Sequence, residues 1–404
     1  MKSPRKVAVV YGVPAGTGGL GQQAASVLTA FANDSEVHAF GPGRAALWPL
    51  PTEVPDVEWH PAPRAVAPWR GRSTWLRWYS GRLQFLMDRA VGRWAADQVR
   101  RLKPDHCYVF TQVGLETLRW ACSANVPSIV ESPNGHIRNF RRVYETETQR
   151  WSSGSVRRHP TPAMVQRVEQ EYSLADRMRV SSQWSRTSMV GYGVGLPIGV
   201  FQQPLNLSRF HPPPEMLPAE GPLRVCFVGS LDLRKGFVYL LRAIKLFGPK
   251  RISLEIVGAT GDRLCKLLLA RGREGIDLHC APGDPVPAYH RADIFVLPTL
   301  EDGSPFAAAE AMASGLPVIV TDSCGAAEWV RQGETGWIVP ARDVEALASA
   351  LEEAFRRRGD LRSMGRTARI DSERRAGLHC LAPFRQWVFN AGPRTLRNNV
   401  SNHE

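Results

Sequence analysis

Two acids with seven residues between them carry the first chemical signal in this chain. Asp302 and Glu310 bracket a segment that starts Glu301-Asp302-Gly303-Ser304-Pro305-Phe306 and follows the apolar run Ile294–Leu297. Ser304 is of a type that caps a helix, and Pro305 fits a first helical position. Gly315 and Pro317 stop the helix. The pattern predicts a helix near Pro305–Ser314 that opens at the carboxyl edge of a sheet, where ligands of such folds bind. One acid there can reach a sugar and the other a ribose. The plainer reading is two carboxylates that stabilise a helix dipole.

A second signal is Val228-Gly229-Ser230-Leu231-Asp232-Leu233-Arg234-Lys235-Gly236, between an apolar run and a predicted helix. Cations at a helix start are disfavoured by the dipole unless an anion sits between them and the free N–H groups. Arg234 and Lys235 thus fit a diphosphate; a solvated basic turn is the alternative. A third is Gly16-Thr17-Gly18-Gly19-Leu20-Gly21, after a predicted strand. The following strand ends Phe40-Gly41-Pro42-Gly43 without an acid for ribose hydroxyls, which argues against a dinucleotide-dependent dehydrogenase. A phosphate or sugar loop through Gly18 and Gly19, or a tight turn, remains. The fourth is His136, in the loop after the predicted strand Pro127–Val130, where it would face the cleft edge. Alone it reads more readily as a structural or surface histidine. No His, Cys and Asp grouping has metal-ligand spacing, so neither a metal nor another cofactor is expected. The seven cysteines make no CxxC pair and read as buried free thiols of a reducing compartment.

These residues need scaffolds. Predicted strands fall at Lys6–Val13, Glu36–Phe40, Leu223–Val228, Ile252–Val257, Asp277–His279 and Pro317–Val320. Predicted helices fall near Gln22–Phe31, Gly261–Arg271, Ala288, Ala326–Gln332 and Asp343–Arg356. Short apolar strands that alternate with helices indicate α/β architecture, with parallel sheets covered on both faces. The proline-rich stretch at 204–222 divides a domain over 1–203 from one over 223–391, and 392–404 is a polar tail.

Net charge is +13 with a pI near 9.8, which favours anionic partners. Residues 64–103 hold ten Arg or Lys against two Asp, with Trp69, Trp75, Trp78 and Trp94 among them. Between Thr74 and Val99 a helix would carry an apolar stripe of Leu76, Tyr79, Leu83, Leu86, Ala90 and Trp94. Arg82, Arg89, Arg93 and Arg100 would form a basic one. Such a face either stays solvated or docks on an anionic membrane. No apolar stretch is long enough to cross a bilayer, so the expected location is cytoplasmic, peripheral on the inner membrane face.

Taken together, the motifs resemble the retaining GT-B glycosyltransferases of family 4. Gly18-Gly19 matches the family's first glycine-rich loop. Gly229, Leu231 and Lys235-Gly236 match G-x-L-x-x-x-K-G. Asp302 and Glu310 fill the acidic positions of E-x7-E, and Glu310–Ile319 reads EAMASGLPVI. Gly325, Glu328, Val330, Gly333, Gly336 and Val339-Pro340 match a later element. Three departures stand out: Asp302 is one methylene shorter than the usual Glu, Ser230 stands where arginine is common, and Pro204 where glycine is. The resemblance implies two Rossmann-like domains facing a cleft, and sugar transfer from a nucleotide-sugar donor with retained configuration and no metal. It further implies that Lys235 and Arg234 hold the diphosphate and Glu310 the ribose. Asp302 and the backbone of Gly303, Ser304, Pro305 and Phe306 would hold the sugar, and His136 would line it from the first domain. The acceptor is expected in the first domain, lipid-linked or otherwise anionic. The rival readings are a sugar-nucleotide epimerase of the same fold and a basic membrane- or nucleic-acid-binding protein.

Overall fold

In the computed structural model, residues 4–16, 18–32, 34–43, 57–66, 81–152, 160–214, 220–260, 262–376, 378–390 and 392 are described. Two parallel sheets organise them. The first contains β1 (Arg5–Val10), β2 (Ser35–Gly41), β3 (Val57–Pro61), β4 (His106–Phe110), β5 (Ser128–Ser132), β6 (Arg177–Val180) and β7 (Ile198–Val200), in the order β3-β2-β1-β4-β5-β6-β7. Its helices are α1 (Gly18–Ala32), α2 (Gly81–Leu102), α3 (Leu115–Ser123), α4 (Ile137–Trp151), α5 (Pro162–Leu174) and α6 (Gln183–Gly191). The second sheet contains β8 (Leu223–Val228), β9 (Ile252–Val257), β10 (Asp277–Ala281), β11 (Ile294–Leu297), β12 (Val318–Thr321) and β13 (Gly336–Val339), in the order β10-β9-β8-β11-β12-β13. Its helices are α7 (Phe237–Phe247), α8 (Arg263–Gly272), α9 (Val286–Arg291), α10 (Phe306–Ala313), α11 (Val344–Arg356) and α12 (Leu361–Ala376).

Both sheets reverse their strand order beside the first strand, between β1 and β4 and between β8 and β11. Strands at these positions are covered on both faces, which is why they read as continuous apolar runs. Val7–Val10 and Ile294–Leu297 have no exposed surface. The carboxyl ends of these central strands form the crevices where such sheets place ligands.

The final helix, α13 (Leu381–Phe389), crosses back. Phe384 and Val388 are buried in the first domain's core, and Phe384 meets Phe31 of α1 with ring centroids 5.6 Å apart. The sequence boundary at 391 groups this helix with the second domain; its packing joins it to the first. Leu205 and Phe210 of the linker are buried in the second core.

Several local expectations need correction. α1 begins at Gly18, four residues before the predicted start, so Gly18 and Gly19 form its first turn instead of a preceding loop. Segment 326–332 is a 3-10 turn over Gly325–Trp329, not an α-helix. On α2 the buried stripe is Met87, Asp88, Val91, Gly92, Ala95, Ala96 and Val99, one position on from that predicted, and Leu86 is 58% exposed. Arg82, Arg89, Arg93 and Arg100 are exposed, as the pattern implied. Trp69, Leu76, Trp75, Trp78, Tyr79 and the tail beyond 392 lie outside the described residues. None of the seven cysteines forms a disulfide, and four of them are buried. Among the described residues no helix is long and apolar enough to cross a membrane.

Candidate functional site

The basic loop after β8 is built to present its cations. Asp232 caps a 3-10 turn over Leu233–Lys235, its carboxylate accepting from the Lys235 N–H at 3.1 Å. The Ser230 hydroxyl donates to the same carboxylate at 2.7 Å. Gly236 then takes φ +71°, and a side chain there would collide with the Pro298 carbonyl, so only glycine lets the turn enter α7. Arg234 and Lys235 therefore lie beside the loop that follows β11.

That loop carries the acids. Asp302 pairs with the ammonium of Lys235 and lies 3.4 Å from Arg234 Nη1. Burial alone would raise the Asp302 carboxyl, but Lys235 and Arg234 outweigh it and hold it below its ordinary range. Arg234 also donates from Nη1 to the Glu301 carbonyl at 2.5 Å and lies over the Phe140 ring, 5.3 Å from its centroid. Burial pushes the Glu301 carboxyl up to about 7, although Arg234 pulls the other way. Glu301 lies 3.5 Å from Arg234 and also faces the first domain.

α10 starts at Phe306. Pro305 occupies the capping position just before it, and no side chain caps the helix, Ser304 included. The expected serine cap and proline-first turn are both displaced by one position. The uncapped first turn leaves N–H groups free for a ligand. Glu310, one turn inside, is 4% exposed. The Tyr289 hydroxyl is 3.1 Å from its Oε2, and Gln22 of α1 hydrogen-bonds it from the other domain. Burial lifts the Glu310 carboxyl to about 7 against these hydrogen bonds. Gly19 comes against Phe306, so the first turns of α1 and α10 face each other. Gly18 and Gly19 are thereby brought to the acidic end of the site.

His136 sits differently from expectation. It is the N-cap of α4, with Nδ1 accepting from the Arg138 N–H at 3.2 Å. Its ring is 2% exposed, stacked on Tyr192 at 4.5 Å and close to Tyr172, with Nε2 3.9 Å from Glu169. Burial lowers its pKa to about 4. The backbone around it, not the imidazole, meets the second domain: the Gly135 N–H donates to Glu301 Oε1 at 2.9 Å. Gly303 packs so tightly on the Pro133 carbonyl that any side chain there would clash. The Ser182 hydroxyl donates to the Gly303 carbonyl at 2.5 Å. The cleft is shut along this line.

Sequence reading missed the support beneath the 133–136 loop. Glu131 at the end of β5 takes both oxygens to Arg179 Nη1 at 2.8 Å and also binds Tyr108 and Gln23. Arg179 in turn donates to the Phe201 carbonyl at 2.8 Å, next to the linker. The first domain also holds an open pocket, formed at the carboxyl ends of β1, β4 and β5. Tyr11, Asp88, Gln112, Asn134 and Tyr172 line it, and Phe140, the ring under Arg234, forms part of its wall. Through Phe140 this pocket abuts the cationic turn.

Residues 222–357 match the family model described as glycosyl transferases group 1. Escherichia coli (strain K12) WcaL, a glycosyltransferase assigned provisionally to colanic acid biosynthesis, is 29% identical over 219 residues, 50% of this chain and 52% of its own length. The chain spans about half the length, or less, of the curated relatives it matches. Among solved structures, sucrose-phosphate synthase from Thermosynechococcus elongatus is similar with a TM-score of 0.69 at 18% identity, covering 95% of this chain and 98% of that one. Anabaena HepE in complex with UDP-glucose has a TM-score of 0.68 at 14% identity, covering 95% and 99%. The chain has the GT-B architecture, and the match to the glycosyl transferases group 1 model falls on its second domain.

Proposed function

We propose that this chain is a retaining glycosyltransferase that moves a sugar from a nucleoside diphosphate to an acceptor held by the first domain, with no metal at the diphosphate. The observation that carries the reading is the meeting of the Arg234–Lys235 turn with the open N-terminus of α10, beside a first-domain pocket. A diphosphate replaces Asp302 as the partner of Lys235 and Arg234, and the free N–H groups of α10 add to its stabilisation. Glu310 accepts from the ribose hydroxyls. Asp302, released from Lys235, takes hydroxyls of the sugar together with the backbone at Gly303–Phe306. The acceptor enters through the pocket walled by Phe140, and attacks on the face that the diphosphate leaves. The protein's work is then to neutralise the leaving group, hold the reactants in line and exclude water by closing the domains.

The UDP-glucose named with HepE supports a nucleotide-sugar donor, and the colanic acid role named for WcaL supports a cell-surface polysaccharide or glycolipid product. The exposed arginines of α2, with Leu86 exposed among them, support peripheral docking on an anionic cytoplasmic membrane face. A panel of nucleotide sugars, incubated without acceptor in excess EDTA, tests the core of the reading. Slow hydrolysis of one donor is expected. Conversion of a donor to its epimer favours the epimerase, and dependence on added magnesium or manganese removes the metal-free step.

A further inference from the structure

Away from the cleft, three side chains on the edge of the first sheet converge on one point. β2 and β3 pair in parallel with His38 opposite Glu58 and Phe40 opposite His60. Residues two apart on a strand share a face, so His38, Glu58 and His60 stand together. His38 Nδ1 lies 3.0 Å from His60 Nε2 and 3.4 Å from Glu58 Oε2, and His60 Nε2 lies 3.4 Å from Glu58 Oε1. A tetrahedral ion with bonds of about 2.0–2.1 Å has ligand atoms roughly 3.3 Å apart. Each separation is close to that spacing, with the Glu58 carboxylate meeting His38 through Oε2 and His60 through Oε1, so a small turn of the exposed carboxylate brings one oxygen to both.

The protons are arranged for the same purpose. His38 Nε2 lies 2.9 Å from the Glu36 carboxylate, which fixes the proton on that nitrogen and leaves Nδ1 with a free lone pair. His60 Nε2–H then donates to His38 Nδ1. An ion at this point replaces that one proton and leaves the His38–Glu36 pair intact. A carboxylate behind a ligating imidazole is the usual outer support of a protein metal site. His38 is 3% exposed and held by stacking with Phe40, whereas Glu58 reaches solvent and leaves a fourth position open.

We propose that His38, His60 and Glu58 bind a divalent transition-metal ion, zinc by ligand chemistry, with Glu36 orienting His38. Two imidazoles and one carboxylate suit zinc and its neighbours and do not suit magnesium or calcium. The ion cross-links the edge strand β3 to β2 and takes no part in sugar transfer. Among the described residues this is the one group of three such side chains within bonding reach, and the diphosphate site has none.

Titration of the full chain with zinc alone, read by calorimetry, tests this. One equivalent should bind, and the melting temperature should rise with it. Glu58→Gln, a change at an exposed side chain, and His60→Gln should each lose that equivalent or weaken it at least about tenfold. Both variants should keep the melting temperature that wild type shows in EDTA, which establishes that they fold; if His60→Gln does not, Glu58→Gln decides alone. Cobalt should give the intense d–d absorption of a four- or five-coordinate site in wild type and lose it in Glu58→Gln. No zinc binding by the folded chain, or equal affinity in the folded variants, overturns the proposal.

Discussion

The Gly135 N–H donates to Oε1 of Glu301 at 2.9 Å, tying the loop after β5 to the loop after β11 across the cleft. The backbone of one domain thus reads a buried carboxylate of the other, and the carboxylate is oriented by Arg234. Domain closure and the cationic turn are one structure, so substitutions at either should be felt at both.

Lys235→Ala should lower turnover by about two to three orders of magnitude, about 3–4 kcal/mol of lost leaving-group stabilisation. Steady-state kinetics with the donor identified by the panel provides the check. Unchanged kcat and KM would remove Lys235 from the diphosphate.

Asp302→Asn should tighten binding of the bare nucleoside diphosphate several-fold, on the order of 1 kcal/mol, because Lys235 loses its competing carboxylate. Sugar transfer should fall in the same variant. Calorimetry with the nucleoside diphosphate of the donor found by the panel decides it, and weaker binding than wild type would show that Asp302 does not compete with the phosphates.

Glu310→Gln should weaken the bare nucleoside diphosphate and the full donor alike, since both carry the ribose. It should also change how stability depends on pH. The Glu310 carboxyl rises from an ordinary 4.5 to about 7 in the folded chain, so the native state holds its proton more tightly than the unfolded one. Wild type therefore loses stability from this group as pH climbs from about 4.5 to about 7, roughly 3 kcal/mol in all. The variant lacks that loss. Its melting temperature relative to wild type should rise across this window and level off above it. A difference independent of pH would mean that Glu310 titrates normally.

His136→Asn keeps a side chain that caps helices well, and His136→Ala does not; the alanine variant should be less stable by about 1 kcal/mol more from the cap alone. With the imidazole neutral above its lowered pKa of about 4, activity between pH 5 and 8 should carry no limb that His136→Asn abolishes. Loss of such a limb would assign the ring a role in proton transfer.

Replacing Arg82, Arg89 and Arg93 by Gln should abolish co-sedimentation with anionic vesicles, and wild-type binding should fade as salt rises. Absence of wild-type binding at low salt would point to a freely diffusing acceptor.

The sequence disclosed the second domain more fully than the first. Ile294–Leu297 falls where its apolar run ends because it is buried on both faces, and Leu223–Val228 and Ile252–Val257 stay legible although Arg224, Ser253 and Glu255 interrupt them, since apolar residues still dominate each run. β3 was missed because Val57–Pro61 lies on a sheet edge and reads VEWHP, half polar and partly exposed. With β3 went the metal-ligand cluster, since Glu58 and His60 share a face only if the segment is a strand. Asp302, Arg234 and Lys235 were legible as a charged constellation. Their mutual pairing was not, because the spacing between loops 67 residues apart is set by the fold. Nor could the local sequence say that His136 turns inward: a residue at an N-cap can send its ring to either side, and Tyr192 and Glu169 come from distant segments.

The return of α13 to the first domain has a consequence for synthesis. Phe31 and Tyr108 are made early but remain without their partner Phe384 until the second domain has been made. The first domain cannot complete its core on the ribosome while the second is being translated, although the second can. A chain cut after α12 would leave the amino-terminal half lacking part of its apolar interior, so a change far along the sequence from that half would damage it.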